Sequence, residues 1–328
     1  MIHTLYRAVD GTLHTDLPKA KWPVALRDDA GLLWIDLVAE PSDVCRPILH
    51  DDFGFHNLAV DDALEETHVP KVDDWNEYIY LTLHAVIFDE TGEDPLDTLE
   101  LDIFLGRNYV VTYQSHPIGT VERVRKACLR DPRYLERGTA YLLHKLADEI
   151  VADYMPVIEQ IDEAVDEVES QILDNPAPIH LERLLVQKRA ILQLRRILAP
   201  QREVLNKLGR GDFAIIPAEY RMFYRDVYDH LFRLHDLTEN VRDLINSTLD
   251  TYLSVVNNRM NDVMKALTVI TTLFMPLSFL TGFFGMNFFQ PILALDTWTG
   301  AVAFGLVLGA MVALPIGMFV WMRRQRWM

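Results

Sequence analysis

The chain has 328 residues, 50% of them hydrophobic, and a formal charge of −17. So much acid argues against a nucleic-acid partner, because phosphates demand a basic surface. The two isolated cysteines, Cys45 and Cys128, offer neither a metal-ligand spacing nor a disulfide framework, and they fit a reducing compartment.

The first 115 residues read as mixed α/β. Strand-forming runs rich in β-branched and aromatic residues fall at 32–37, 78–88, 99–104 and 109–113, and helical patterns fall near 42–50 and 58–65. Ser115-His116-Pro117 ends the strands, and everything beyond reads as helix. A short helix is expected over 118–129 and a long acidic one over 139–173, kinked at Pro156. After the turn Asn175-Pro176-Ala177-Pro178 a helix resumes from 179 to about 208 and should bend at Pro200. Gly209-Arg210-Gly211 interrupts it, and Pro217 suits the first turn of the next helix. From there to Phe284 no glycine precedes Gly282 and the sole later proline is Pro276. A helix of that span is about 100 Å long, more than any globular core requires.

Residues 266–295 are thirty in a row without charge, and 297–322 are twenty-six more. Each run exceeds the roughly 20 apolar residues needed to cross a bilayer, so two transmembrane segments are expected. From Lys265 onward one acid and four bases give +3, which leaves −20 on the residues before it. Arg259 and Lys265 precede the first span, Arg323, Arg324 and Arg326 follow the second, and the connecting loop has no base. The bases therefore predict a multi-pass protein of the cell membrane with both termini in the cytoplasm, and Met1-Ile-His-Thr-Leu-Tyr has no signal-peptide character.

Polar and small residues in the first span keep to one face. Thr268, Thr271, Met275, Ser278 and Gly282 follow steps of three and four, and the same register carries back through Met264, Asn261, Asn257, Ser254 and Asp250. A packed seam would hold Leu, Ile or Val at such places. Threonines and serines in a span also serve simple helix packing, but the continuation into amides and a carboxylate predicts a wet seam shared by identical helices. Two spans cannot enclose a pore, so a homo-oligomer in the lipid bilayer is expected. No phosphate-binding loop and no Ser/His/Asp or Cys/His arrangement is legible, so an enzyme is not expected.

Met264-Lys265-Ala266-Leu267-Thr268, Phe274-Met275-Pro276-Leu277 and Phe284-Gly285-Met286-Asn287-Phe288 together resemble the CorA family of divalent cation channels, and the resemblance covers the whole chain. It implies an α+β membrane protein built as a homopentameric funnel. Residues 1–117 would form an N-terminal α/β/α cytoplasmic domain, 118–264 the acidic helices and stalk, and 265–328 a two-span transmembrane domain. Gly285, Met286 and Asn287 would form the selectivity filter at an external loop. The pore would be lined by Asp250, Asn257, Asn261, Met264, Thr268, Thr271, Met275 and Ser278. Mg²⁺ would be both cargo and regulator, held between neighbouring heads by Asp61 and Asp62 of one segment and Asp226 and His230 of another, with Asp148 as a further acidic position. Where many relatives have a glutamate after the tripeptide, this chain has Phe289-Gln290-Pro291, which implies weaker recruitment of cations at the mouth. The competing readings are a transporter of Co²⁺, Ni²⁺ or Zn²⁺ within the same superfamily, and a membrane-anchored sensor or scaffold. Softer metals would favour His or Cys in the path, and the seam has neither.

Overall fold

The computed structural model describes residues 1–65, 69–88, 95–286 and 300–325. The chain divides into two compact units, Met1–Leu249 and Asp250–Met328.

The first unit is built on a seven-stranded mixed sheet in the order β2-β1-β3-β7-β6-β5-β4. Its strands are β1 Ile2–Arg7, β2 Leu13–Thr15, β3 Leu32–Val38, β4 Lys71–Asp74, β5 Ile79–Phe88, β6 Leu96–Leu105 and β7 Tyr109–Gln114. β3 and β7 run parallel and the other pairs antiparallel. Every residue of β3 is buried, as a strand covered on both faces requires. On one face Leu33, Ile35, Leu37, Tyr80, Phe104 and Val111 form a core with residues of three short helices, α1 Trp22–Leu26, α2 Ser42–Pro47 and α3 Asn57–Leu64. Phe55 stacks on Phe104 with ring centroids 4.3 Å apart at the centre of this core.

Helices α4 Gly119–Arg130, α5 Arg133–Glu136, α6 Thr139–Ala152, α7 Tyr154–Asp174 and α8 Pro178–Arg210 follow. α6, α7 and α8 contact β5, and α7 packs along α8. The acidic segment expected as one kinked helix is two. α6 ends at Ala152, Asp153 makes the turn, and Pro156 stands in the first turn of α7. The cause is steric, since a proline ring clashes with the carbonyl four residues back, which here belongs to Ala152. α8 stays continuous through Pro200 and closes on Gly211, whose φ of 85° and ψ of 33° are left-handed and favour glycine.

α9 Arg221–Phe284 is a single helix of 64 residues that begins in the first unit and ends in the second. α10 Ala301–Arg324 completes the second unit. Both helices are long and apolar enough to cross a membrane, and their apolar stretches are not buried against other protein. Leu267, Ile270, Phe274 and Phe279 of α9, like Val302, Phe304 and Leu306 of α10, are exposed. So large an exposed apolar surface marks a membrane or subunit interface.

Candidate functional site: an ion path on the long helix and carboxylates on the head

The expected seam lies entirely on α9 within the second unit. Asp250, Ser254, Asn257, Asn261, Met264, Thr268, Thr271, Met275, Ser278 and Gly282 are all exposed. Val269, Thr272, Leu273, Pro276, Leu277, Leu280 and Phe283 are half-buried. At about 100° per residue the half-buried side sits well over a third of a turn from the seam. The seam and the half-buried residues therefore lie on different sides of the helix, and the seam is open along its length.

Three hydroxyls on the seam side are oriented by the helix itself. Thr268 Oγ1 donates to the carbonyl of Met264 at 2.8 Å, Thr271 Oγ1 to that of Leu267 at 2.9 Å, and Ser254 Oγ to that of Asp250 at 2.8 Å. A hydroxyl has one hydrogen and two lone pairs. With the hydrogen committed to the backbone, each exposed oxygen presents lone pairs only, as a cation or its water shell requires.

At the end of α9 the N–H of Gly285 donates to the carbonyl of Thr281 at 2.9 Å, and that of Met286 to Phe283 at 3.4 Å. A Cβ on Gly285 would stand 2.9 Å from the Thr281 oxygen, so the close approach favours glycine there. Asn287, the third member of the expected filter, lies outside the described residues, as do Phe289, Gln290 and Pro291.

On the first unit, Asp61 and Asp62 occupy the C-terminal half of α3. Each already has a base. Arg46 Nη1 of α2 stands 2.7 Å from Asp61 Oδ1, and Lys71 Nζ of β4 pairs with Asp62 Oδ2. Asp148 of α6 is held by Lys145 at 2.8 Å, three residues before it. Asp226 is exposed and His230, one helical turn further along α9, is half-buried. Asp148 and Asp226 both act electrostatically on His144 of α6 and pull its pKa up, although burial dominates and holds the imidazole below its ordinary value. These two carboxylates, from α6 and α9, thus share one neighbourhood. Among the described residues no group of three or more His, Cys, Asp or Glu side chains is placed to hold a metal ion. Lys71, Arg46 and His144 carry no ligand pattern in the sequence, and the first two come beside Asp62 and Asp61 only through the fold.

Residues 29–324 match the family model described as CorA-like Mg²⁺ transporter protein. The chain belongs to the CorA family. It is 32% identical over 305 residues to the cobalt/magnesium transport protein CorA of Thermotoga maritima, covering 92% of this chain and 85% of that one. To the cobalt/magnesium transport protein CorA of Methanocaldococcus jannaschii it is 29% identical, covering 92% of each. The complete structure of the CorA magnesium transporter from that organism has the same fold, with a TM-score of 0.85 at 24% identity over 99% of this chain and 98% of that one. As a CorA-family protein the chain is a divalent-cation transporter of the membrane and not an enzyme. Its two apolar helices are the C-terminal pair of that architecture.

Proposed function

We propose that the chain assembles as a homopentamer around α9 and conducts hydrated Mg²⁺ into the cytoplasm, with both termini on the cytoplasmic side. The observation that carries this reading is the exposed face of α9, where Asn257, Asn261, Thr268, Thr271 and Ser278 present oxygens and amides in one register. Two helices of one chain cannot close a pore, and repetition of the same face by symmetry can. Mg²⁺ holds its waters at about 2.1 Å and sheds them reluctantly, so neutral oxygens that hydrogen-bond the shell suit its passage. Met264 and Met275, both in the seam, would supply the apolar part of the path.

The reading gives Gly285, Met286 and Asn287 the filter, with Asn287 facing the hydrated ion. It gives Asp61, Asp62, Asp148, Asp226 and His230 a regulatory role, binding Mg²⁺ between neighbouring heads and favouring the closed state. Since α3 and α9 within one chain do not complete a ligand set, a ligand set shared between protomers suits the same residues better.

Cobalt is the second cargo to consider, because the relatives from Thermotoga maritima and Methanocaldococcus jannaschii are named cobalt/magnesium transport proteins. The seam has no His or Cys, which favours the harder ion. Uptake into proteoliposomes, followed with a Mg²⁺-reporting dye and competing Co²⁺, Ni²⁺ or Zn²⁺, tests the cargo. Asn287→Ala at matched incorporation should abolish the Mg²⁺ signal while the oligomer persists. Normal flux in that variant would remove Asn287 from the path.

A further inference from the structure

Lys71 has two places to be. From the short edge strand β4 its ammonium pairs with Asp62 on α3, and it also stands 3.6 Å from Asp73 Oδ2 and 5.3 Å from the centroid of the Tyr80 ring. Asp73 is the cross-strand partner of Tyr80, so carboxylate and ring form one patch on the sheet. The buried Asp102 carboxyl, hydrogen-bonded by Tyr80 at 2.7 Å, also feels the charge of Lys71. Lys71, Asp62 and Asp73 are each partly open to solvent, so ions have access.

We infer that Lys71 is a resident cation of the Asp62 site, exchanged for the divalent ion when the ion binds and received by Asp73 and Tyr80. The inference rests on the reading that Asp62 is a regulatory ligand. A divalent cation on Asp62 repels an ammonium a few ångströms away, so both cannot stay. The four-carbon stem of lysine turns without moving the backbone, and the second seat is already within reach, which makes the exchange local. While the ion is absent, Lys71 neutralises Asp62. The head then does not need metal to stay folded, and the ion binds only at concentrations that outcompete a tethered charge. Lys71 thereby determines the threshold of the sensor and is not a ligand in it.

The test is a Mg²⁺ titration of protease protection of the head, using the full-length protein in detergent. Lys71→Met and Lys71→Gln remove the competitor and should lower the half-maximal Mg²⁺ concentration about 3–5-fold, the upper part of the range expected for a partly exposed ion pair. Lys71→Arg keeps the charge and should stay near the wild-type midpoint. Asp73→Asn weakens the second seat, keeps Lys71 on Asp62 and should raise the midpoint about twofold. Opposite shifts from two neighbouring residues would not arise from a general loosening of β4. Thermal unfolding of each variant shows that the head remains folded, and Lys71→Gln serves where Lys71→Met does not express. Asp62→Asn separates the two claims. If it abolishes protection while both Lys71 variants keep the wild-type midpoint, the exchange is wrong and the site stands. If Asp62→Asn itself titrates like wild type, the site falls and the exchange with it.

Discussion

Tyr154 on α7 donates its phenol hydrogen to the backbone carbonyl of His84 on β5. The amide of the same residue donates to Gln201 Oε1 on α8 at 2.9 Å. Both bonds follow from unequal strand lengths. β4 pairs with β5 only from Ile79 to Thr82, whereas β5 runs on to Phe88 against β6. Beyond Thr82 one edge of β5 has no neighbouring strand among the described residues, and buried backbone groups must find other partners. Two side chains from the helices supply them, which ties the sheet to α7 and α8.

Tyr154→Phe should therefore cost about 1–3 kcal/mol, the usual penalty for stranding one buried acceptor. Denaturant unfolding of the full-length protein, followed by tryptophan fluorescence, measures it. The ring stays, so packing is conserved and the loss reports the hydroxyl alone. A midpoint equal to wild type would mean that the His84 carbonyl has found a donor elsewhere.

Much of this architecture is legible in the sequence, and what is not has a physical reason. β3, β5, β6 and β7 are interior strands whose residues are mostly buried, so their apolar runs announce them. β1, β2 and β4 escape notice because strands at or near a sheet edge carry polar residues, among them His14, Thr15, Lys71, Asp73 and Asp74. α9 is readable along its length because neither glycine nor an internal proline interrupts it before Pro276. The seam is legible for the same reason, since periodicity on one helix is a local property. The ion pairs Arg46–Asp61 and Lys71–Asp62 are not local. They depend on where α2 and β4 come to lie beside α3.

Thr268 and Thr271 present oxygen lone pairs from the open face of α9 because their hydrogens are spent on Met264 and Leu267. The paired change Thr268→Val and Thr271→Val keeps the shape and the β-branch but replaces each oxygen with a methyl. Mg²⁺ flux into proteoliposomes should fall at least several-fold, with the thermal midpoint and oligomer size unchanged. Equal flux would show that these hydroxyls only pack, as they do at many helix contacts in membranes.

His144 gives the head a pH dependence with a definite sign. It is 7% exposed, its Nδ1 has no hydrogen-bond partner among the described residues, and Phe223 and Tyr141 lie 5.1 and 5.7 Å away between ring centroids. Burial holds its pKa below the ordinary 6.5, with Lys145 and Arg137 acting in the same direction and Asp148 and Asp226 against it. The unfolded chain then binds the proton more tightly than the folded one. Stability is complete above about pH 6.5 and declines as the pH falls from there through the folded-state pKa. His144→Phe suits the aromatic surroundings and cannot take up a proton. Between pH 7.5 and 5 its thermal midpoint should change less than that of wild type at fixed ionic strength. A parallel pair of curves would assign the acid sensitivity to another group.

Asp62 and Asp226 sit on different elements, α3 and α9, and neither belongs to a three-ligand cluster among the described residues. If a cation bridges them between adjacent heads, it stabilises only the arrangement in which both are present. A ligand moves such an equilibrium solely through its different affinity for the two states. In the proposed pentamer, five equivalent interfaces at about 1 kcal/mol each would amount to roughly 5 kcal/mol, enough to take a population from mostly open to mostly closed. Asp62→Asn with Asp226→Asn preserves shape and hydrogen-bonding capacity while removing both charges. On the proposed regulation, Mg²⁺ flux through the wild type should fall at millimolar internal Mg²⁺ while that of the double variant persists, and Mg²⁺ should protect the wild-type head from protease but not the variant head. Conduction itself should survive, because neither residue lies in the seam of α9. Inhibition and protection both equal to wild type would move the sensor elsewhere, with Asp148 and His230 the next residues to exchange.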